Sequence, residues 1–166
     1  IRRREMTQRN AILRGIRDCK DDDIILISDC DEIPRSNLIP TELEDGIIAT
    51  YMQKLYYYNL NTLAPTRVWP GTRVCRVADA RAMSPHIIRN GIGQGATHYP
   101  RYFHINNGGW HYSYFGGTDK IREKQTQFLH QELVTEHAID PQTIAQRVAA
   151  GVDIWGREGE QEFTIG

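Results

Sequence analysis

Ile24-Ile25-Leu26-Ile27-Ser28-Asp29-Cys30-Asp31-Glu32-Ile33-Pro34 joins a short apolar run to a cluster of acids. The run is mostly β-branched and is bounded by polar residues on both sides. That pattern predicts a strand buried on both faces, as in the parallel part of an α/β sheet. Upstream, residues 2–18 read as a helix. Met6, Ile12, Leu13 and Ile16 form its apolar stripe, and Gly15 is its weak point. Lys20-Asp21-Asp22-Asp23 makes the polar turn between them. Helix, turn and buried strand are half of a βαβ unit.

Downstream, Pro34 and Pro40 bracket an irregular stretch. Ile47–Leu60 is rich in β-branched and aromatic residues and reads as a long strand or hairpin, with Thr72–Val77 as its antiparallel neighbour. Ala78–Met83 reads as a short helix stopped by Ser84-Pro85. Asn90–Gly95 is loop-like. Tyr99–Ile105 and Trp110–Phe115 read as two strands, with Asn106-Asn107-Gly108-Gly109 as the turn between them. Thr118 is a candidate N-cap for a helix from Asp119 to about Glu132. Pro141 opens a last helix, capped by Asp140 and ending near Gly151. No linker or repeat interrupts the pattern, so residues 1–166 read as one catalytic domain. Its start at Ile1, inside a helix-like segment, points to a fragment.

The chain has 40% hydrophobic and 25% charged residues, as a globular protein does. A net charge of −1 supplies no global field for nucleic acid or an anionic membrane. Arg2-Arg3-Arg4 reads as a solvated helix face. No apolar stretch is long enough to span a bilayer. Three cysteines, Cys19, Cys30 and Cys75, fit neither a zinc site nor a disulfide framework and read as free thiols.

Asp29 and Asp31 stand one residue apart just past a strand, where ligands bind in open α/β sheets. Such a pair suits a hard divalent cation, Mn²⁺ or Mg²⁺, shared with a substrate diphosphate. With Glu32 the acids repel one another and need a cation or a basic neighbour to keep them ionised. Two chemistries use this arrangement. In nucleotide-sugar transferases it organises metal and diphosphate. In haloacid-dehalogenase-type phosphohydrolases the first Asp is a nucleophile and the second a general acid. The latter usually continue with Gly-Thr, whereas Glu32-Ile33-Pro34 follows here.

Longer passages carry a more specific likeness. Arg4-Glu5-Met6-Thr7-Gln8-Arg9-Asn10-Ala11-Ile12 followed by Asp29-Cys30-Asp31-Glu32-Ile33-Pro34 resembles glycosyltransferase family 17, the bisecting N-acetylglucosaminyltransferase family with its bacterial and viral members. Tyr56-Tyr57-Tyr58-Asn59-Leu60-Asn61, Trp69-Pro70-Gly71-Thr72-Arg73-Val74, Gly109-Trp110-His111-Tyr112-Ser113-Tyr114 and Asp140-Pro141 through Trp155-Gly156-Arg157 match in order, so the resemblance covers nearly the whole chain. It implies a GT-A-like α/β fold with a mixed sheet flanked by helices. It also implies a UDP-sugar donor (UDP-GlcNAc), a glycan acceptor, a divalent metal and inversion at the anomeric carbon. Members carry an N-terminal portion with the first β/α units and much of the nucleoside pocket, which the resemblance implies is missing from this stretch. The implied location is cytoplasmic for a bacterial or viral parent and the Golgi lumen for a eukaryotic one.

In that reaction Asp29 and Asp31 hold the metal, which neutralises the leaving diphosphate. Asp119, after Gly116-Gly117, is the first candidate general base, against simple helix-dipole stabilisation. Glu32 is the second, against a role in orienting a motif Asp or a backbone amide. His111 is a candidate metal or diphosphate ligand, against a structural hydrogen bond. Arg73 is a candidate donor-binding residue, against a structural ion pair. Trp69, Trp110 and Tyr57 are candidate acceptor contacts, against packing. His98, His104 and His130 read as structural. A phosphohydrolase and a non-catalytic carbohydrate-binding fragment stand as the competing readings.

Overall fold

The computed structural model describes residues 2–91, 101–127, 134–136, 138–155 and 164–165. The chain is mixed α/β. Its elements are α1 (Arg2–Asn10), α2 (Ile12–Gly15), β1 (Ile24–Ile27), β2 (Glu32–Pro34), a 3-10 turn (Ser36–Leu38), β3 (Ile47–Tyr57), β4 (Thr62–Arg76), α3 (Val77–Met83), α4 (Pro85–Asn90), β5 (Arg101–Ser113), α5 (Gly117–Gln127), α6 (Pro141–Ala150) and β6 (Thr164–Ile165). Among the described residues the sheet runs in the order β1-β4-β3-β5-β2, and β6 pairs with β4. The residues group into two compact units, Ile1–Gln53 with Pro70–Gly109 and Lys54–Trp69 with Trp110–Gly166.

In the first unit, Ile25, Ile27, Ile48 and Cys75 pack with Val77, Ala80 and Ile88, and Ile12, Ile16, Cys19 and Met83 close over them. Ile24 joins a smaller cluster around Ala49, Tyr51 and Val74. The strand at 24–27 is where the sequence places it, but two expectations fail. It runs antiparallel to β4, from Ile24 opposite Arg76 to Ile27 opposite Arg73. Burial also alternates along it, and Leu26 is exposed. Four apolar residues in a row do not report the direction of the partner strand. Ile24 and Leu26 share its second face, which is only partly covered. The long N-terminal helix is broken at Ala11, whose N–H is shared between the carbonyls of Thr7 (3.0 Å) and Gln8 (3.2 Å). Ile12 and Ile16 enter the core, whereas Met6 stays exposed.

Ser84-Pro85 ends α3 as expected, and it also begins α4, a helix the sequence reading missed. The Ser84 hydroxyl accepts from the N–H of Ile87 (3.5 Å), and Pro85 occupies the first turn. Asn106–Gly109 does not form a hairpin turn. β5 runs through it as one strand, with positive φ at Asn107 and Gly109. Its glycines allow close approach instead. A Cβ on Gly109 would lie 2.1 Å from the Ile33 carbonyl oxygen, and one on Gly108 would lie 2.8 Å from the Tyr51 Cβ. The Arg35 N–H donates to the Gly108 carbonyl (2.8 Å) across this contact. Gly109→Ala is therefore expected to cost about 2–3 kcal/mol, from the backbone clash and the unfavourable φ. Chemical denaturation checks this, and a change below about 0.5 kcal/mol would contradict the packing described.

In the second unit the core is Leu55, Tyr57, Tyr58, Ala64, Tyr114, Ile121, Ile144 and Ile154. Tyr57 stacks on Tyr114 at 5.7 Å and 9°. The buried hydroxyls are satisfied. Tyr58 donates to the Val152 carbonyl (2.5 Å), and Tyr114 accepts from the Trp155 indole N–H (2.7 Å). α6 matches the sequence reading, with Asp140 accepting from the Thr143 N–H (2.7 Å) and Gly151 closing the helix at φ 62°. α5 starts at Gly117, which places Thr118 within its first turn rather than at the cap. Residues 128–132 of the helix expected there lie outside the described residues.

Candidate functional site

Asp29, Cys30, Asp31 and Glu32 form a turn directly after β1. The N–H of Glu32 donates to the Asp29 carbonyl (3.1 Å). Side chains brace the turn from inside. The Ser28 hydroxyl lies 2.7 Å from the Thr72 hydroxyl and donates to the Glu32 carbonyl (3.2 Å). Thr72 also accepts from the Gln53 amide (3.3 Å). The backbone N–H of Asp29 donates to the Glu32 carboxylate (3.2 Å). Glu32 thus makes the orienting contact that was the alternative to its role as base. Its side chain is fully buried, whereas that of Asp29 is 43% exposed. Asp31 is half-buried and Cys30 exposed.

Two residues that sequence reasoning did not single out hold this turn. Arg89, near the end of α4, is buried against it. Its Nη2 donates to Asp29 Oδ2 (2.9 Å) and to Glu32 Oε1, and its Nη1 donates to Glu32 Oε2 (2.9 Å) and to the Gly71 carbonyl (2.5 Å). Arg9 of α1 pairs with Glu5 (2.5 Å), donates to Asn90 (3.3 Å) and reaches Asp29 Oδ1 at 3.5 Å. Asp29 and Glu32 thus find counter-charges within the chain. The available signal for Arg89 was Ser84-Pro85 read forwards as a helix start. Nothing in the sequence distinguishes Arg9 from the other arginines of its helix.

Arg73 lies opposite Ile27 in the strand register, beside the same turn. Its guanidinium is buried and donates to the carbonyls of Pro70 (2.8 Å) and Gly71. Burial, and then the neighbouring Arg89 cation, pull its pKa down to about 10, while Glu32 opposes the shift. A buried guanidinium held by carbonyl oxygens keeps donor capacity for an anionic group.

The remaining candidates belong to the second unit. His111 is buried and stacks on half-buried Trp69, with ring centroids 4.6 Å apart at 20°. Tyr57 is buried in the aromatic core. Trp110 is half-buried, and Asp119 is exposed in the first turn of α5, after Gly116 and Gly117 at positive φ. His98 and His130 lie outside the described residues, and His104 is exposed on β5.

Among the described residues, no group of three or more His, Cys, Asp and Glu side chains could hold a metal ion. Asp29 and Asp31 therefore fit a hard cation only where water or a bound phosphate supplies the remaining oxygens. No described helix is long and apolar enough to cross a membrane. No family model, curated protein or solved structure matches the chain.

Proposed function

We propose that the chain is the catalytic part of an inverting, metal-dependent glycosyltransferase of GT-A type. It moves a sugar, GlcNAc by the resemblance, from a UDP-sugar to a glycan hydroxyl. The observation that carries this reading is the turn after β1, where half-exposed Asp29 meets Arg9 and Arg89, and Arg73 lies close to Arg89 and Glu32. Carboxylates for a cation and guanidinium groups for a diphosphate thus occur in one unit. Asp29 and Asp31 would hold the cation, which when bound supplies Lewis-acid stabilisation of the leaving diphosphate. Arg73, whose Nη1 is held by the Pro70 and Gly71 carbonyls, would offer its other donors to a phosphate. Asp119 is kept as the candidate general base that the sequence offers, and its carboxylate is exposed in the first turn of α5.

The complete protein is expected to release UDP from UDP-GlcNAc when Mn²⁺ and a glycan acceptor are both present. Chelation should stop the release, and added Mn²⁺ or Mg²⁺ should restore it. Covalent capture of fluoroberyllate at Asp29 would instead point to phosphoryl chemistry. Saccharide binding without turnover under any metal, unchanged by Asp29→Asn with Asp31→Asn, would leave a binding module.

A further inference from the structure

Arg73 is only 9% exposed, yet part of its guanidinium is unused. Nη1 spends its two hydrogens on the carbonyls of Pro70 (2.8 Å) and Gly71. Among the described residues, Nε and Nη2 meet no acceptor, and no carboxylate pairs with the group. Neither atom is sealed from solvent. The open edge, Nε with Nη2, is the flat pair of donors that fits two oxygens of one oxyanion. A second cation stands beside it. The Nη1 of Arg89 donates to the same Gly71 carbonyl (2.5 Å), so two guanidinium groups converge on one oxygen. Arg89 has Glu32 and Asp29 as counter-charges. Glu32 reaches Arg73 through its field, while its oxygens bind Arg89 and the Asp29 N–H.

We infer that the Nε–Nη2 edge of Arg73, beside the Arg89 charge, is a phosphate-binding site that works without a divalent cation. This deepens the phosphate contact proposed above for Arg73, and it is independent of any metal at Asp29. A buried cation without a counter-ion is unfavourable, and a like charge next to it adds to the cost. A bound phosphate relieves both. Its oxygens meet the open edge side-on, which a lysine ammonium cannot reproduce. Free phosphate and the diphosphate of a nucleotide share this chemistry, and the test separates them.

The test is titration calorimetry of the full chain with inorganic phosphate and with UDP, in EDTA and at low salt. Both are expected to bind. UDP binding tighter than phosphate assigns the site to a nucleotide diphosphate, and equal binding assigns it to free phosphate. Arg73→Met should weaken both by about 10–100-fold, the usual worth of hydrogen bonds to a charged group. Arg73→Lys, which keeps the charge and loses the fork, guards against a Met variant that fails to fold, and it should weaken both by about tenfold. Phosphate should also raise the melting temperature of the wild type and not that of either variant. Binding that appears only when Mn²⁺ is added overturns the inference. So does a folded Arg73 variant that binds phosphate within about twofold of the wild type, against the tenfold or greater loss expected. Cation-free binding that needs Arg73, in a protein that never turns over UDP-GlcNAc under any metal, upholds the site and removes the transferase reading.

Discussion

Arg89→Ala is expected to lower stability by about 3–5 kcal/mol, and Glu32→Ala by a similar amount. The two side chains are 6% and 0% exposed, and each is the other's counter-charge. Removing either strands an ion where water cannot reach it. For a chain of this size the loss corresponds to a fall in melting temperature of roughly 6–20 °C. Removing both charges together, as Glu32→Gln with Arg89→Met, should recover most of the loss, because the pair in place roughly balances its own desolvation. Glu32→Gln and Arg89→Met made singly complete a double-mutant cycle with that variant, read by thermal and urea melts. Single variants that melt within about 2 °C of the wild type would show that the pair is not buried as described.

Asp29→Asn and Asp31→Asn should each reduce metal-dependent sugar transfer at least about a hundredfold, in line with the loss of one group that stabilises developing charge. Stability should change little. Asp29 is half-exposed, and an exposed ion pair contributes at most about 1 kcal/mol. The contrast with Glu32 is the informative part. Three acids within four residues divide into a buried one that the fold needs and two others that the proposed chemistry needs. Near-normal turnover in either Asn variant, measured as UDP release, removes that residue from the metal site.

The sequence marked β1, the short helix after β4, α6 with its cap and terminating glycine, and the position of the acidic turn. These features depend on local patterns: an apolar run, an N-cap, a left-handed C-terminal glycine. It misread Asn106–Gly109 because Gly108-Gly109 meets Tyr51 and Ile33, contacts between segments far apart in the chain. Strand direction was hidden for the same reason. The acids of the site were visible because they are adjacent in sequence. Their cations were not, since Arg89 lies 60 residues from Asp29 and Arg9 lies 20. The tool that finds such partners is register and packing, which a linear pattern does not contain.

The alternation of the two units along the chain has a consequence for synthesis. Each unit is built from two separated segments, so neither is complete until the chain has passed through the other at least once. β1 meets its partner only after Arg73–Arg76 has been made, and Asp29 meets Arg89 60 residues after its own addition. At about 5–20 residues per second, the acidic turn leaves the ribosome roughly 3–12 s before its counter-charge. Through that interval Asp29 and Glu32 are without Arg89, and until Arg73–Arg76 is made the apolar run beside them has no strand to pair with. Nascent chains halted between Asp29 and Arg89 should therefore depend on chaperones far more than chains halted after Gly109.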